Sequence, residues 1–189
     1  PKCRLSIEPG DTKEIVESLR ANTIDVAVTL EPEREPDFTF SPLFTDELMF
    51  LVNPKHPWAE ARRAVRMEIP REQYILYLRN SRTFEQIESY FRTEKMVIKS
   101  VIDMGSMSAI KELVKLGLGV TILAPWVAQK ELTKKSLVAL PLGRRKLKRQ
   151  WGVLYWKERP MGWAEDTFIK LCQSGARQFA ASNGLRAHV

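Results

Sequence analysis

Small hydroxyl side chains stand at the start of three helices that the sequence predicts. Thr12, Ser81 with Thr83, and Ser106 each lie where an amphipathic segment begins, so a side-chain oxygen there accepts a backbone N–H. A helix start also offers unpaired N–H groups and a partial positive charge, which attract small anions. These residues therefore indicate noncovalent binding of a small polar or anionic ligand. The alternative at each position is a hydroxyl that only caps its helix.

Residues 103–125 contain the clearest of these helix starts. Apolar residues recur at helical spacing across 109–116, and Gly117 stands where a left-handed residue ends a helix. Residues 101–102 and 120–123 are short, apolar and β-branched, which is typical of strands covered on both faces. The pattern predicts a strand-helix-strand unit. Ser106 and Met107 then lie in the turn at the carboxyl edge of a parallel sheet, where ligands bind in open α/β folds.

A second unit of this kind is predicted near the start of the chain. Residues 4–8 alternate in hydropathy and predict a strand, and Asp11 or Thr12 caps the helix that follows. Residues 24–30 predict the next buried strand. Thr12 therefore has the place in this unit that Ser106 has in the later one.

The middle of the chain adds a third helix start. Residues 74–78 predict a strand, and Asn80 follows in the turn that leads into a helix. Thr83 with Gln86 three residues later fits a capping box, and Ser81 is the alternative cap. Arg82 could add a bidentate contact to a carboxylate or phosphate, or it is simply an exposed arginine in a turn.

The remaining segments predict strands and one long helix. Residues 38–40 and 47–52 predict two strands separated by a turn at Ser41 and Pro42, and the two prolines in 53–57 predict a crossing point, either hinged or rigid. Further strands are predicted at 137–142, as an edge strand, and at 150–156.

The last long helix is predicted to bury an apolar face that includes Trp163 and Leu171. Beyond about Phe179 the residues are small and polar, so a frayed tail is predicted.

Composition narrows the class of protein. The 189 residues carry a net charge of +7 with a pI near 9.5, which favours an anionic partner. No apolar run has the length of a membrane span, and the first twenty residues are too polar for a signal peptide, so we expect a soluble, cytoplasmic chain. Cys3 and Cys172 are far apart, and two idle thiols are favoured over a pair between them.

The sequence gives no support for a catalytic or metal-binding site. His56 lies between prolines and His188 in the predicted tail, so no histidine forms a base with an orienting partner. The sequence has no G-x-S-x-G motif, P-loop or dinucleotide fingerprint, and Gly117 and Gly119 belong to a helix-to-strand turn. We therefore expect no enzyme activity and no cofactor.

A basic run at 144–149 could bind phosphate, DNA or an acidic partner. It contains no aromatic residue, and Leu147 interrupts it. A solvated turn between two strands is the favoured interpretation.

Several segments, taken in order, resemble a known family. They are residues 24–28, 42–48 leading into 52–57, 106–125, and the closing strands and helix. Together they are similar to the effector-binding (regulatory) domain of LysR-type transcriptional regulators, over about residues 3–175. Each motif is weak alone, and their order and spacing make the resemblance specific.

The resemblance implies an α/β fold of two Rossmann-like subdomains joined by two crossover strands, like that of periplasmic binding proteins. Subdomain I would comprise 1–57 and 150–180, subdomain II 58–149, and 181–189 would be a flexible tail. The family's effector pocket lies in the cleft between subdomains. The resemblance places these residues at the pocket: Thr12, Asn80, Ser81, Arg82, Thr83, Ser106, Met107, Ala124 and Pro125.

The resemblance also implies partners. The effector would be a small anionic metabolite, such as an organic acid or a phosphorylated compound. The domain would form a homodimer, or a tetramer in the full-length protein. DNA would be bound only through an N-terminal helix-turn-helix domain that this chain lacks. The family's first strand and helix of subdomain I are also missing, so the fold is expected to be truncated at its N-terminus. The rival interpretation is a stand-alone periplasmic solute-binding protein for a small anion.

Overall fold

The computed structural model describes residues 4–188, and these form two compact units. Unit 1 comprises the chain up to Asp46 and from Arg149 onward, and unit 2 is Glu47–Lys148. The chain therefore passes from one unit to the other twice. Both passages lie inside long strands, Phe38–Val52 and Leu147–Trp156.

Unit 1 combines an antiparallel sheet with two helices. Its elements in chain order are α1 (Thr12–Arg20), β1 (Ala27–Leu30), the first part of β2 (Phe38–Val52), most of β7 (Leu147–Trp156), α6 (Trp163–Asn183) and β8 (Arg186–Ala187). In the sheet, β7 lies between β1 and β2, and β8 pairs with β2.

Helix α1 forms because its start is capped and its apolar residues share a face. Asp11 accepts a hydrogen bond from the backbone N–H of Lys13, and Glu14 completes a capping box. Val16 and Leu19, three residues apart, are buried against β1 and Leu154 of β7. Helix α6 also packs against the sheet of unit 1, through the branched Ile169 and the small Ala176 and Ala180.

A buried ion pair lies where the chain leaves and re-enters unit 1. Arg149 donates from Nε to Asp46 Oδ1 at 2.9 Å and from Nη2 to Oδ2 at 2.5 Å. The side chain of Asp46 is inaccessible to solvent, and that of Arg149 is 6% exposed. Trp151 Nε1 also donates to Asp46 Oδ2 at 3.0 Å. The carboxylate therefore has three donors, as a buried charge requires.

Unit 2 combines antiparallel and parallel strand pairs with helices. Its remaining elements are α2 (Pro57–Ala61), a 3₁₀ turn (Ile69–Arg71), β3 (Gln73–Tyr77), α3 (Arg82–Thr93), β4 (Ser100–Met104), α4 (Met107–Lys115), β5 (Thr121–Leu123), a 3₁₀ turn (Pro125–Ala128), α5 (Gln129–Thr133) and β6 (Val138–Pro141). Strand β2 pairs with both β5 and β6, in each case antiparallel.

Strands β3, β4 and β5 run in the same direction. The pairing of β3 with β4 is parallel, from Gln73 with Ser100 to Tyr77 with Met104. Tyr74 forms an isolated parallel bridge to Val120, the residue before β5. Gly119 permits this second approach, since a Cβ on it would lie 2.5 Å from the carbonyl oxygen of Gln73. The three carboxyl ends therefore meet at one edge of the sheet.

The core of unit 2 is aromatic around Phe50. Its ring centroid lies 5.1 Å from that of Trp58, 6.5 Å from Tyr74 and 6.2 Å from Phe91. All four side chains are buried. Such rings contribute about 0.5 to 1.5 kcal/mol per pair beyond the area that they bury.

Two strand predictions were wrong. Residues 4–8 are irregular, with Leu5 and Ile7 exposed, because no strand of the described chain pairs with them. Residues 38–52 form one strand instead of two, since Pro42 keeps an extended backbone and gives up only a single N–H.

The two compact units differ in their limits from the predicted subdomains. Residues 47–57, predicted in subdomain I, belong to unit 2, because Leu48, Phe50 and Val52 pack into its core. Residues 181–189 were predicted as a flexible tail, but within the described part α6 continues to Asn183 and Arg186–Ala187 form β8. A left-handed Gly184 makes the turn between them.

Two further predictions, for the buried face of α6 and for the basic run, differ from the structure. Trp163 and Leu171 of α6 are 67% and 65% exposed, because the sheet takes the face that carries Ile169, Ala176 and Ala180. The basic run is only partly a turn, since Leu147 to Arg149 already belong to β7.

Cys172 is a free thiol whose pKa is raised by burial, and Cys3 lies outside the described residues. Within residues 4–188, no helix combines the length and apolar character needed to cross a membrane.

Candidate functional site

Ser81 caps α3 from a fully buried position. Its Oγ accepts a hydrogen bond from the backbone N–H of Phe84 at 3.2 Å, and its carbonyl accepts from Glu85. Of the two alternatives that the sequence allows, Ser81 rather than Thr83 is the cap. Asn80 is exposed just before it, and Thr83 is half-buried in the first turn. The start of α3 is thus fixed by its own serine.

Arg82 follows the cap as the first residue of α3. Its side chain is 19% exposed, and one guanidinium nitrogen lies 3.5 Å from Glu85 Oε2. The positive charge is therefore held near the helix start and is partly balanced by Glu85. An incoming carboxylate or phosphate would compete with Glu85 for this guanidinium.

Arg79 and Asp103 lie at the same edge, and sequence reasoning did not select them. Arg79 lies two residues past β3, donates to the carbonyl of Val101 at 3.1 Å and places its guanidinium 5.6 Å from the Phe84 ring centre. Its Nε lies 3.8 Å from Oδ1 of Asp103 in β4. Only the register of β3 with β4 brings the two residues together, and the sequence does not state that register.

Ser106 caps α4 from an exposed position. Its Oγ accepts from the backbone N–H of Ala109 at 3.3 Å, as the sequence predicts. Met107 is half-buried and packs against the cluster around Ile110. The start of α4 is therefore more accessible than that of α3.

The turn after β5 provides the third part of this edge. Ala124 is buried, and Pro125 opens the 3₁₀ turn without a side-chain cap. Lys111 of α4 binds this turn, since its Nζ lies 3.1 Å from both the carbonyl oxygen of Val127 and Glu131 Oε1. Nothing in the sequence marks these partners, which lie 16 and 20 residues apart from Lys111.

The charge state of Glu131 suits this contact. Burial pushes its pKa upward, but backbone and Lys111 hydrogen bonds outweigh burial, and the pKa of Glu131 lies below its usual value. The carboxylate therefore stays ionised and keeps the Lys111 ammonium in place.

Thr12 belongs to unit 1, whereas the other eight predicted site residues belong to unit 2. It is the first residue of α1 and is buried. Thr29 Oγ1 of β1 donates to Thr12 Oγ1 at 3.0 Å. The structure therefore shows a hydroxyl pair that links the start of α1 to the neighbouring strand.

The eight unit 2 residues share one sheet edge, because β3, β4 and β5 end there. The helices α3 and α4 start from adjacent parallel strands, so their N–H groups serve the same region. Each helix start stabilises a nearby anion by about 0.3 to 1 kcal/mol at an exposed site. Within residues 4–188, no group of three potential metal ligands is present. This edge is suited to binding an anion through backbone amides and arginine.

The chain matches one protein family along most of its length. A family model described as the LysR substrate binding domain matches residues 1–177. The RuBisCO operon transcriptional regulator of Allochromatium vinosum is 23% identical over 184 residues, which is 97% of this chain and 58% of that protein. The regulator CfxR of Cupriavidus necator is 26% identical over 167 residues, 88% of this chain and 53% of that protein. The chain thus spans about half the length of these relatives.

Solved structures agree with this match. The effector-binding domain of QuiR in complex with shikimate has a TM-score of 0.76 at 22% identity, covering 89% of this chain and 79% of that one. The CcmR regulatory domain of Synechocystis in complex with 2-PG also has a TM-score of 0.76, at 20% identity, covering 88% and 80%. These similarities confirm the predicted α/β fold class of two subdomains.

Proposed function

The chain belongs to the LysR substrate-binding-domain family, and from this premise we propose that it senses a small anionic effector for a transcription regulator. The relatives named above are transcriptional regulators that are longer than this chain. The part of the whole protein that recognises a specific DNA sequence would then lie in another domain. A stand-alone solute-binding protein is not favoured, because the matched relatives are regulators.

The observation that carries this proposal is the shared edge in unit 2. Two helix starts, from adjacent parallel strands, and the guanidinium of Arg82 lie there. Backbone amides and arginine recognise carboxylates and phosphates. We assign effector contacts to Asn80, Ser81, Arg82, Thr83, Ser106, Met107, Ala124 and Pro125, and Thr12 of unit 1 remains a predicted contact.

Effector binding would act by shifting a conformational equilibrium. A ligand that binds one conformation of the chain more tightly shifts the equilibrium toward that conformation. The ratio of the two populations changes by up to tenfold for each difference of about 1.4 kcal/mol in binding free energy. The domain would pass this shift on as a homodimer within a cytoplasmic regulator. Dimeric assembly and cytoplasmic location are both part of the proposal.

Thermal-shift screening of small carboxylates and phosphates, followed by titration of the hits, tests the proposal. Ser106→Asp is the informative variant, because aspartate is also a good N-cap and keeps α4 stable while its charge repels an anion. We expect the affinity for the hit to fall at least tenfold. Ser89→Asp, an equal charge change at an exposed position of α3, is the matched control and should leave the affinity unchanged.

Two outcomes would count against the proposal. If Ser106→Asp binds every hit as tightly as the unmodified chain, the start of α4 is not part of the effector site. If no carboxylate or phosphate raises the melting temperature, the effector is not a small anion. Thr12→Ala tests the contact from unit 1 separately and should weaken binding only if that prediction is right.

A further inference from the structure

The net positive charge of the chain lies in unit 2. Residues 47–148 contain 19 lysines and arginines against 10 acidic residues, whereas the rest of the chain contains 11 against 13. Unit 2 therefore has a net charge of +9 and unit 1 of −2, which together make the +7 of the chain.

Three segments of unit 2 concentrate this charge on one surface. Glu94 joins them, because Arg145 Nε donates to its Oε1 at 2.8 Å and Arg66 Nη1 lies 3.6 Å from its Oε2. The segments 62–66, 92–95 and 144–148 thus lie around a single carboxylate. We call these three segments the basic patch.

Tyr90 holds the loop of the basic patch in place. The Arg145 guanidinium lies 4.1 Å from the centre of the Tyr90 ring, and its Nη2 donates to the Tyr90 carbonyl at 2.8 Å. In return, the Tyr90 hydroxyl donates to the carbonyl of Arg145 at 2.7 Å. The loop between β6 and β7 is therefore held against α3, so its backbone presents the cations from a fixed position.

Few acidic groups balance this surface. The three segments contain nine lysines and arginines, all exposed, and Glu94 is their one acidic residue. Glu47 adds one more carboxylate, 2.9 Å from Lys146 Nζ. Nine cations against two acids leave a local charge of +7, on a surface that is separate from the helix starts described above.

We propose that the basic patch binds the phosphate backbone of duplex DNA. Repeated phosphates match cations spread over three segments, whereas a single small anion would engage only one of them. Contacts from lysine and arginine to phosphate oxygens carry no direct sequence information, so binding through the phosphate backbone would be independent of base sequence. The choice of DNA among polyanions rests on the proposed function, because a transcription regulator acts on DNA.

The test is fluorescence anisotropy of a labelled duplex of arbitrary sequence with the whole chain at low salt. One variant combines Arg92→Gln, Lys95→Gln and Arg144→Gln. Its matched control combines Lys130→Gln, Lys134→Gln and Lys135→Gln, which removes the same charge from exposed residues of the same unit. Each set includes one left-handed lysine, Lys95 at φ 56° or Lys135 at φ 57°, so backbone effects are balanced as well.

We expect the basic-patch variant to lose at least tenfold in DNA affinity and the control about threefold or less. The dependence of log K on log salt should also become shallower, by about 0.9 for each phosphate that the variant no longer neutralises. Circular dichroism should show both variants folded, because every substituted residue is exposed.

Equal losses in the two variants would overturn the proposal, since charge alone would then explain binding. Tighter binding of phosphatidylserine vesicles than of duplex through the basic patch would also overturn it and indicate a lipid surface. Failure here leaves the small-anion titration unaffected, because that test reports on Ser106 and uses no DNA.

Discussion

Ser81 and Ser106 perform the same capping task in different surroundings. Ser81 is fully buried, whereas Ser106 is exposed to solvent. A buried cap has no water to replace it, so the two hydroxyls differ in what their removal costs. Removing the buried hydroxyl thus mainly tests the stability of α3, and removing the exposed one is the better test of ligand binding.

Ser81→Ala should therefore lower the free energy of unfolding by about 1 to 2 kcal/mol. Urea denaturation followed by circular dichroism measures the change. Ser89→Ala makes the same substitution at an exposed interior position of α3 and should change stability by less than about 0.5 kcal/mol. Equal effects of the two variants would show that the Ser81 cap does not stabilise α3.

The Asp46 and Arg149 pair is the most buried ion pair described above. Asp46→Asn would leave the Arg149 guanidinium buried without its counter-charge, at a cost of about 3 to 5 kcal/mol in the free energy of unfolding. Asp25→Asn is the control, because Asp25 pairs with Arg159 at an exposed site and should cost less than about 1 kcal/mol. Urea midpoints of the two variants would contradict this expectation if they coincided.

Glu94 should titrate at an unusually low pH. The guanidinium of Arg145, which donates a hydrogen bond to it, holds the pKa of Glu94 below its usual value, and Arg66 adds to this effect. A lowered folded pKa means that the stabilising contribution is present above the unfolded pKa and is lost as the pH falls through the folded one.

The measurement is an NMR titration of the Glu94 carboxyl. Arg145→Gln should raise the pKa of Glu94 toward its ordinary value, because the main hydrogen-bond donor is removed. Arg92→Gln is the control, because the Arg92 residue contacts Glu94 through a backbone hydrogen bond and its side chain is not among the donors to the Glu94 carboxyl. An unchanged Glu94 pKa in Arg145→Gln would mean that Arg145 does not bind this carboxylate in solution.

The helices could be predicted from the sequence because their determinants are local. Caps, helical spacing and a left-handed Gly117 all act within one or two turns, and α3 and α4 begin at or next to the predicted positions. The strands were harder to predict from the sequence. Residues 4–8 alternate correctly but have no pairing partner in the described chain, and strand formation depends on distant residues.

The residues of the candidate site also differ in whether local sequence or distant contacts determine them. Ser81 and Ser106 could be selected from sequence, since capping needs only neighbouring residues. Arg79 with Asp103, and Lys111 with Glu131, could not, because each pair forms through strand register or helix packing. Patterns in a single sequence do not report contacts between residues that are far apart along the chain.

Two glycines give a test of close packing between elements. Gly119→Ala would place its Cβ 2.5 Å from the Gln73 carbonyl oxygen, which is rigid backbone of β3. We expect a loss of about 1 to 3 kcal/mol in the free energy of unfolding. Gly175→Ala, with no atom near its Cβ inside α6, should instead gain up to about 1 kcal/mol. Chemical denaturation of both variants checks the opposite signs, and a stable Gly119→Ala would contradict the close approach.

At the scale of the whole molecule, the uneven charge of the two units should affect stability. Repulsion among the excess cations of residues 47–148 opposes folding, and salt screens it as the Debye length falls from about 30 Å at 0.01 M to about 8 Å at 0.15 M. We expect sodium chloride at the higher concentration to raise the melting temperature by about 1 to 3 °C. The triple variant of the basic patch should show a smaller rise in scanning calorimetry, and a fall with salt would mean that attractive pairs dominate.

Strand β8 has a practical consequence for anyone who works with this protein. Arg186 and Ala187 pair with Thr45 and Phe44 of β2, and the His188 amide donates to the carbonyl of Leu43. Trimming the chain back to Asn183 for crystallisation would therefore strip an edge from the sheet of unit 1, next to the strand that carries Asp46.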